Sequence, residues 1–317
     1  MTGMRTEGWT RRRFLALAVQ AGVFAGLLGS GAYGLVALSR GYARDRLVAP
    51  RELLALLGEE GVKVLDARPP LRYRRGHLPG AANVWDLDLH TWEEVPRKLA
   101  PLPQLIAALE RAGVSRQKTV VVYDDGEGVW AARLLWVLDY LGHPDVRLLD
   151  GGLPAWEAQG GELVTDPPAI EPTTFEPQTR PEVLIGFEEL RAALEAGDDS
   201  ESLVLVDART RPEYEGGHLP GARLLPPEGL LRADGRFRRA HLLSLRAGEA
   251  GVSPPPSRDV VIYSETGLRA SLVYVALTLL GLSPRVYDGG LAEWKRRGGP
   301  LERSPLAGQE EHRSTCW

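Results

Sequence analysis

Val260-Val261-Ile262-Tyr263-Ser264-Glu265-Thr266-Gly267-Leu268-Arg269-Ala270-Ser271 is the stretch that decides the fold. A β-branched apolar run breaks at a short polar loop with one glycine, and apolar residues at helical spacing follow (Leu272, Val275, Ala276, Leu279, Leu280). The pattern predicts a strand, a tight loop and a helix from Ala270 to Leu280. Such a loop aims successive backbone N–H groups at one point before a positive helix N-terminus, so it can cradle an anion or an anionic nucleophile. Ser264 stands at that point, and Ser264, Glu265, Thr266, Gly267, Leu268 and Arg269 form the candidate anion-binding loop.

Working outward, Val120-Val121-Val122-Tyr123 leads into a second loop of the same design, Asp124-Asp125-Gly126-Glu127-Gly128, with a helix expected from Ala131 to Leu141. Its focus is Asp124. Upstream, Asp66-Ala67-Arg68 and Gly76-His77-Leu78-Pro79-Gly80-Ala81 are matched by Asp207-Ala208-Arg209 and Gly217-His218-Leu219-Pro220-Gly221-Ala222. Downstream, Asp150-Gly151-Gly152-Leu153 with Trp156 is echoed by Asp288-Gly289-Gly290-Leu291 with Trp294. Four blocks recurring in one order at nearly one spacing make a duplicated domain. Strands Val62–Leu65 and Leu203–Val206, alternating with helices at 49–57 and 186–196, imply parallel sheets covered on both faces, with the working loops at the strands' carboxyl ends.

These blocks resemble the rhodanese domain, and the pair, over roughly residues 46–301, resembles the thiosulfate and 3-mercaptopyruvate sulfurtransferase family. The resemblance implies an α/β fold with two rhodanese-like domains in tandem, each a central parallel sheet of five strands flanked by helices. It implies a non-catalytic first domain, and a second domain with a cysteine directly after the strand tyrosine that becomes a persulfide. This sequence has Ser264 there. Thr266 stands where the two-domain enzymes often carry lysine or serine, and Glu213 where they carry a substrate-binding arginine. Arg269 matches an arginine found at the loop's end in many single-domain relatives. In the first domain Arg72 holds the place of Glu213, but Asp124, Asp125 and Glu127 would repel an anionic donor.

The expected organisation is a signal or anchor at 1–43, a first domain at 44–161, a proline-rich linker at 162–182, a second domain at 183–301 and a polar tail at 302–317. Pro167, Pro168, Pro172, Pro177 and Pro181 make the linker stiff and non-helical. Thr10-Arg11-Arg12-Arg13-Phe14-Leu15 resembles the twin-arginine export motif and precedes an uncharged run from Phe14 to Ser39. A plain membrane anchor is the alternative, because more than about 18 mostly apolar residues can span a bilayer. Either reading places the globular part across the inner membrane, with membrane contact only if the segment is retained.

A net charge of −4 argues against nucleic acid as a partner. The one cysteine, Cys316, rules out an internal disulfide or thiol pair. Scattered histidines, His90, His143, His241 and His312, give no metal-ligand spacing, and no cofactor is expected. Asp66, Asp207, His77 and His218 read as loop residues satisfying backbone groups, and Trp156 and Trp294 as packing.

Sulfur relay needs a soft thiolate, and cysteine, with a pKa of about 8.5, supplies one when a helix N-terminus pulls that value down. A serine hydroxyl without an adjacent base stays protonated. Three functions compete. One is a pseudoenzyme that binds thiosulfate, sulfite, another small anion or a protein. The second is a working sulfurtransferase using Cys316 or an external thiol, and the third a structural partner with a plugged cleft. A phosphatase of the cysteine-loop type needs the same thiolate and a longer loop.

Overall fold

The computed structural model describes residues 45–196, 203–253 and 258–303. The stretch at 1–43 expected to be a signal or anchor, the tail beyond residue 303 and Cys316 lie outside the described residues.

In the first repeat, β1 (Leu47–Val48), β2 (Val62–Asp66), β3 (Ala82–Asn83), β6 (Thr119–Tyr123) and β7 (Val146–Leu149) form a five-stranded sheet in the order β1-β7-β6-β2-β3. Every pairing is parallel. The second repeat builds the same sheet from β8 (Leu184–Ile185), β9 (Leu203–Asp207), β10 (Arg223–Leu224), β11 (Asp259–Tyr263) and β12 (Arg285–Tyr287), in the order β10-β9-β11-β12-β8. Val120, Val121 and Val122, like Val261 and Ile262, are fully buried on both sides of their strands. A strand covered on both faces needs a continuous apolar run, which is why these two segments do not alternate.

Helices α1 (Pro50–Leu56), α2 (Pro70–Arg75), α4 (Leu102–Arg111), α5 (Val129–Tyr140) and α6 (Gly152–Glu157) flank the first sheet. Their counterparts in the second repeat are α7 (Phe187–Glu195), α8 (Arg211–Glu215), α9 (Ala240–Glu249), α10 (Leu268–Leu279) and α11 (Gly290–Arg296). Between β3 and α4, the short α3 (Asp86–Leu89) leads into an antiparallel hairpin of β4 (His90–Thr91) and β5 (Lys98–Leu99).

Helices α5 and α10 pack against one another where the two repeats meet. Each is buried almost all round, Ala131–Asp139 in one and Ala270–Leu279 in the other, as a helix with protein on every side requires. Both begin two residues before the sequence expectation, at Val129 and Leu268. Gly128 (φ 74°) and Gly267 (φ 71°) turn the chain directly into the helix, and the partly exposed first turn adds nothing to the apolar periodicity.

The linker lies on the first repeat. Phe175 is buried and stacks on His143, while the Gln178 and Arg180 amides donate to the Leu141 and Tyr140 carbonyls at 3.0 and 2.7 Å.

Candidate active site

One buried network underlies each repeat's sequence blocks. Tyr263 Oη donates to Asp207 Oδ2 (2.6 Å) and accepts from the Leu219 amide (3.0 Å). The Asp207 carboxylate also takes the Arg209 backbone amide and its Nε and Nη2. Arg209 Nη2 continues to the Gly217 carbonyl at 2.7 Å. Tyr123, Asp66, Arg68, Leu78 and Gly76 repeat the arrangement. Burial beside a carboxylate pushes both tyrosine hydroxyls up, so each stays a fixed donor. Asp66 and Asp207 thus each satisfy one backbone amide, as expected, but their main partners are side chains. His77 and His218 turn Nδ1 to the Tyr73 and Tyr214 carbonyls and stack on those rings at 3.8 Å.

The network holds the end of the central strand, and the loop after it differs between repeats. In the first, Asp124 is buried, and its carboxylate accepts from the amides of Gly126 (2.9 Å), Gly128 (3.0 Å) and Ala131 (3.2 Å). Burial pushes this carboxyl up against the pull of those N–H groups. The side chain supplies the negative oxygens that such a cradle collects, so the first loop is filled by its own residue. Asp125 pairs with Arg72 and reaches Arg68 at 3.4 Å. A cavity of about 300 Å³ lies beside this loop, lined by Asp125, Glu127, Pro154, Asp234 and Arg236 among others.

The second loop is one residue shorter, four residues from Ser264 to Gly267 against five from Asp124 to Gly128. Ser264 is 1 % exposed, and its Oγ accepts from the Ala270 amide at 3.3 Å. No histidine or carboxylate among the described residues takes its proton. The loop rests on the Asp-Gly-Gly turn: the Leu291 amide donates to the Ser264 carbonyl (2.9 Å) and the Ala292 amide to the Glu265 carbonyl (3.1 Å). A Cβ at Gly290 would lie 2.4 Å from the Ser264 carbonyl oxygen, so only glycine (φ 58°) fits beneath the loop.

Arg269, the loop's expected anion-binding cation, is already paired. Its Nη1 and Nη2 meet Glu213 Oε2 and Oε1, each at 2.7 Å. The Arg269 guanidinium, helped by the Thr210 hydroxyl and amide, holds the Glu213 carboxyl down at about 2. Glu265 lies 3.8 Å from Arg209 and 3.9 Å from Lys295. The fork that would receive an oxyanion is therefore occupied by a carboxylate of the protein.

Sequence reasoning missed what the Asp-Gly-Gly aspartates do. Each caps a loop of the opposite repeat: the Leu99 amide donates to Asp288 Oδ2 (2.6 Å), and the Phe237 amide to Asp150 Oδ1 (2.9 Å). On the second-repeat side, Arg133 of α5 adds a buried ion pair to Asp288 Oδ1 at 2.6 Å. The recurrence of these aspartates was the available signal; that they reach across the repeats was not readable. Among the described residues no group of three or more His, Cys, Asp or Glu is placed to hold a metal.

Two parallel sheets of one strand order, each delivering a strand–loop–helix cradle to the meeting of the repeats, define a tandem α/β protein of the rhodanese class. The family model "Rhodanese-like domain" matches residues 49–159 and 187–297, and the chain belongs to this family. It is similar to a probable 3-mercaptopyruvate sulfurtransferase of Pseudomonas aeruginosa, 34 % identical over 78 % of this chain and 94 % of that protein. It is similar also to a thiosulfate sulfurtransferase of Corynebacterium glutamicum, 34 % identical over 83 % and 90 % of the two chains. Among solved structures, an anaerobic ergothioneine biosynthesis enzyme from Chlorobium limicola in complex with trimethyl histidine superposes with a TM-score of 0.73. It is 28 % identical, with 82 % of this chain and 70 % of that chain covered.

Proposed function

We propose that this protein is an exported rhodanese-family pseudoenzyme, which lacks persulfide transfer through its second-repeat loop and binds a small anion, a sulfur compound or a protein. One observation carries the reading: Ser264 sits at the loop focus with its Oγ on the Ala270 amide and no base beside it. A hydroxyl so placed stays protonated, and its oxygen forms no stable counterpart of a persulfide. Glu213 on Arg269 removes the charge that would steady an anionic donor. The Arg11-Arg12-Arg13 motif and the uncharged run after it support export; no helix among the described residues is long and apolar enough to cross a membrane.

The test is purified full-length protein incubated with thiosulfate or 3-mercaptopyruvate, read by intact mass for a persulfide and by thiocyanate formation with cyanide. The expected result is neither product. Turnover comparable to an active relative sinks the reading.

The names of the relatives favour a second reading, an active thiosulfate or 3-mercaptopyruvate sulfurtransferase that uses Cys316 or an external thiol. It requires that Cys316→Ser abolish activity, or that activity appear only with added thiol. Fractionation of the producing cells tests export, with protein confined to the cytoplasm counting against it.

A further inference from the structure

Among the described residues Arg97 is the non-glycine residue with positive φ, 61°. Its counterpart in the other repeat is Gly235, at φ 74°. Each stands two residues before the amide, Leu99 or Phe237, that caps the opposite aspartate. Glycine adopts this conformation freely, whereas arginine is strained there. A Cβ at Gly235 would lie 2.6 Å from the Gly126 carbonyl, so that place admits no side chain. Arg97 faces the repeat whose loop is one residue shorter, and there a side chain is kept despite the strain.

Its backbone is tied, through Arg133, to the Asp288 turn on which the Ser264 loop rests. The Arg97 carbonyl accepts from Arg133 Nη2 (3.4 Å), and Arg133 Nη1 donates to Asp288 Oδ1. That oxygen lies 2.7 Å from where a Cβ on Gly267 would be. The guanidinium stands 5.6 and 5.1 Å from the ring centroids of Trp92 and Trp130. Its one side-chain hydrogen bond among the described residues goes to Asp86, which Nη1 meets at 2.7 Å. Asp86 is shared with His90 Nδ1 at 3.2 Å.

Of the neighbouring arginines, Arg269 is engaged by Glu213, Arg209 by Asp207, and Arg133 by Asp288 and the Arg97 carbonyl, while the half-exposed Lys98 and Lys295 lie beside Glu293 and Glu265. Arg97 Nε and Nη2 have no protein acceptor among the described residues, and 28 % of the side chain is exposed. A planar cation carried between indoles, with open N–H donors, suits an anionic oxygen pair.

We propose that Arg97 is a ligand-binding residue of the Ser264 site, lent by the first repeat, and that it receives the charged oxygens of a small oxyanion. This rests on the anion-binding form of the function proposed above. It names the cation that Arg269, held by Glu213, does not supply.

The test compares Arg97→Gln with Arg97→Lys in the full-length protein. Both keep the strained backbone and a long stem over the indoles, and they differ in charge. Binding of thiosulfate and of 3-mercaptopyruvate is followed by tryptophan fluorescence and calorimetry, with thermal melting as the control for folding. Expected are cooperative melting for both variants, lower for Arg97→Gln because Asp86 loses its cation, with about tenfold weaker binding for Arg97→Gln and about threefold for Arg97→Lys at a temperature where both are folded. Binding in the wild type that falls with added salt, and more gently in Arg97→Gln, supports the charge contact. Equal affinities in the two variants, or no binding of either probe to the wild type, overturns the assignment. Neither outcome touches the absence of persulfide transfer, which the mass assay judges separately.

Discussion

Arg269 and Glu213 meet edge to edge, both terminal nitrogens on both carboxylate oxygens at 2.7 Å, where an anionic donor would need the arginine free. Glu213→Gln is expected to release one face of the Arg269 fork and tighten sulfite or thiosulfate binding several-fold, as read by calorimetry. Unchanged binding would mean that Arg269 is not accessible to the ligand.

The same pair sets an acid window. Glu213 is held at about 2, below its ordinary 4.5, so its stabilising contribution is complete above pH 4.5 and fades as pH falls toward 2. The difference in melting temperature between wild type and Glu213→Gln is therefore expected to shrink over that interval. Because the carboxylate is more than a third exposed, solvent screening keeps the difference small.

Ser264→Cys places a thiol at the N-terminus of α10, where the loop amides favour the thiolate. It is expected to form a persulfide from thiosulfate slowly, and faster when combined with Glu213→Arg. Intact mass after exposure to thiosulfate reads both. A double variant no faster than the single one would clear Glu213 of any part in limiting the reaction.

Asp124→Ser removes the carboxylate from the first cradle and leaves the partly buried Gly126 and Gly128 amides without their acceptor, at a cost of about 1–3 kcal/mol in urea unfolding. Sulfate is expected to restore more stability to this variant than to the wild type, because a free anion can then take the carboxylate's place.

Arg133→Leu copies onto α5 the residue found in the matching position of α10, Leu272. It leaves Asp288 buried without its cation, and a loss of about 3–5 kcal/mol in unfolding free energy is expected. Asp150→Asn, on the opposite side, removes charge but keeps an acceptor for the Phe237 amide, so a smaller loss is expected.

At Arg97, Gly is expected to be more stable than Ala by about 1 kcal/mol, because both lack the side-chain contacts and only the alanine keeps the strain. A more stable alanine variant would remove the argument from backbone conformation.

The sequence by itself determined the duplicated parallel α/β architecture. Valine-rich runs followed by a glycine loop and an apolar helix are local signals, and their recurrence with the Asp-Ala-Arg and Asp-Gly-Gly blocks left one fold. It also set Asp124 and Ser264 at the two loop foci, since a residue after a strand and before a helix can hardly stand elsewhere. Only the tertiary structure decided what surrounds those foci: that Glu213 closes on Arg269, that Asp288 answers to Leu99 and Arg133, and that Arg97 is strained where Gly235 is not. Those relations join residues tens to hundreds of positions apart, through charge and hydrogen-bond geometry that no local periodicity encodes.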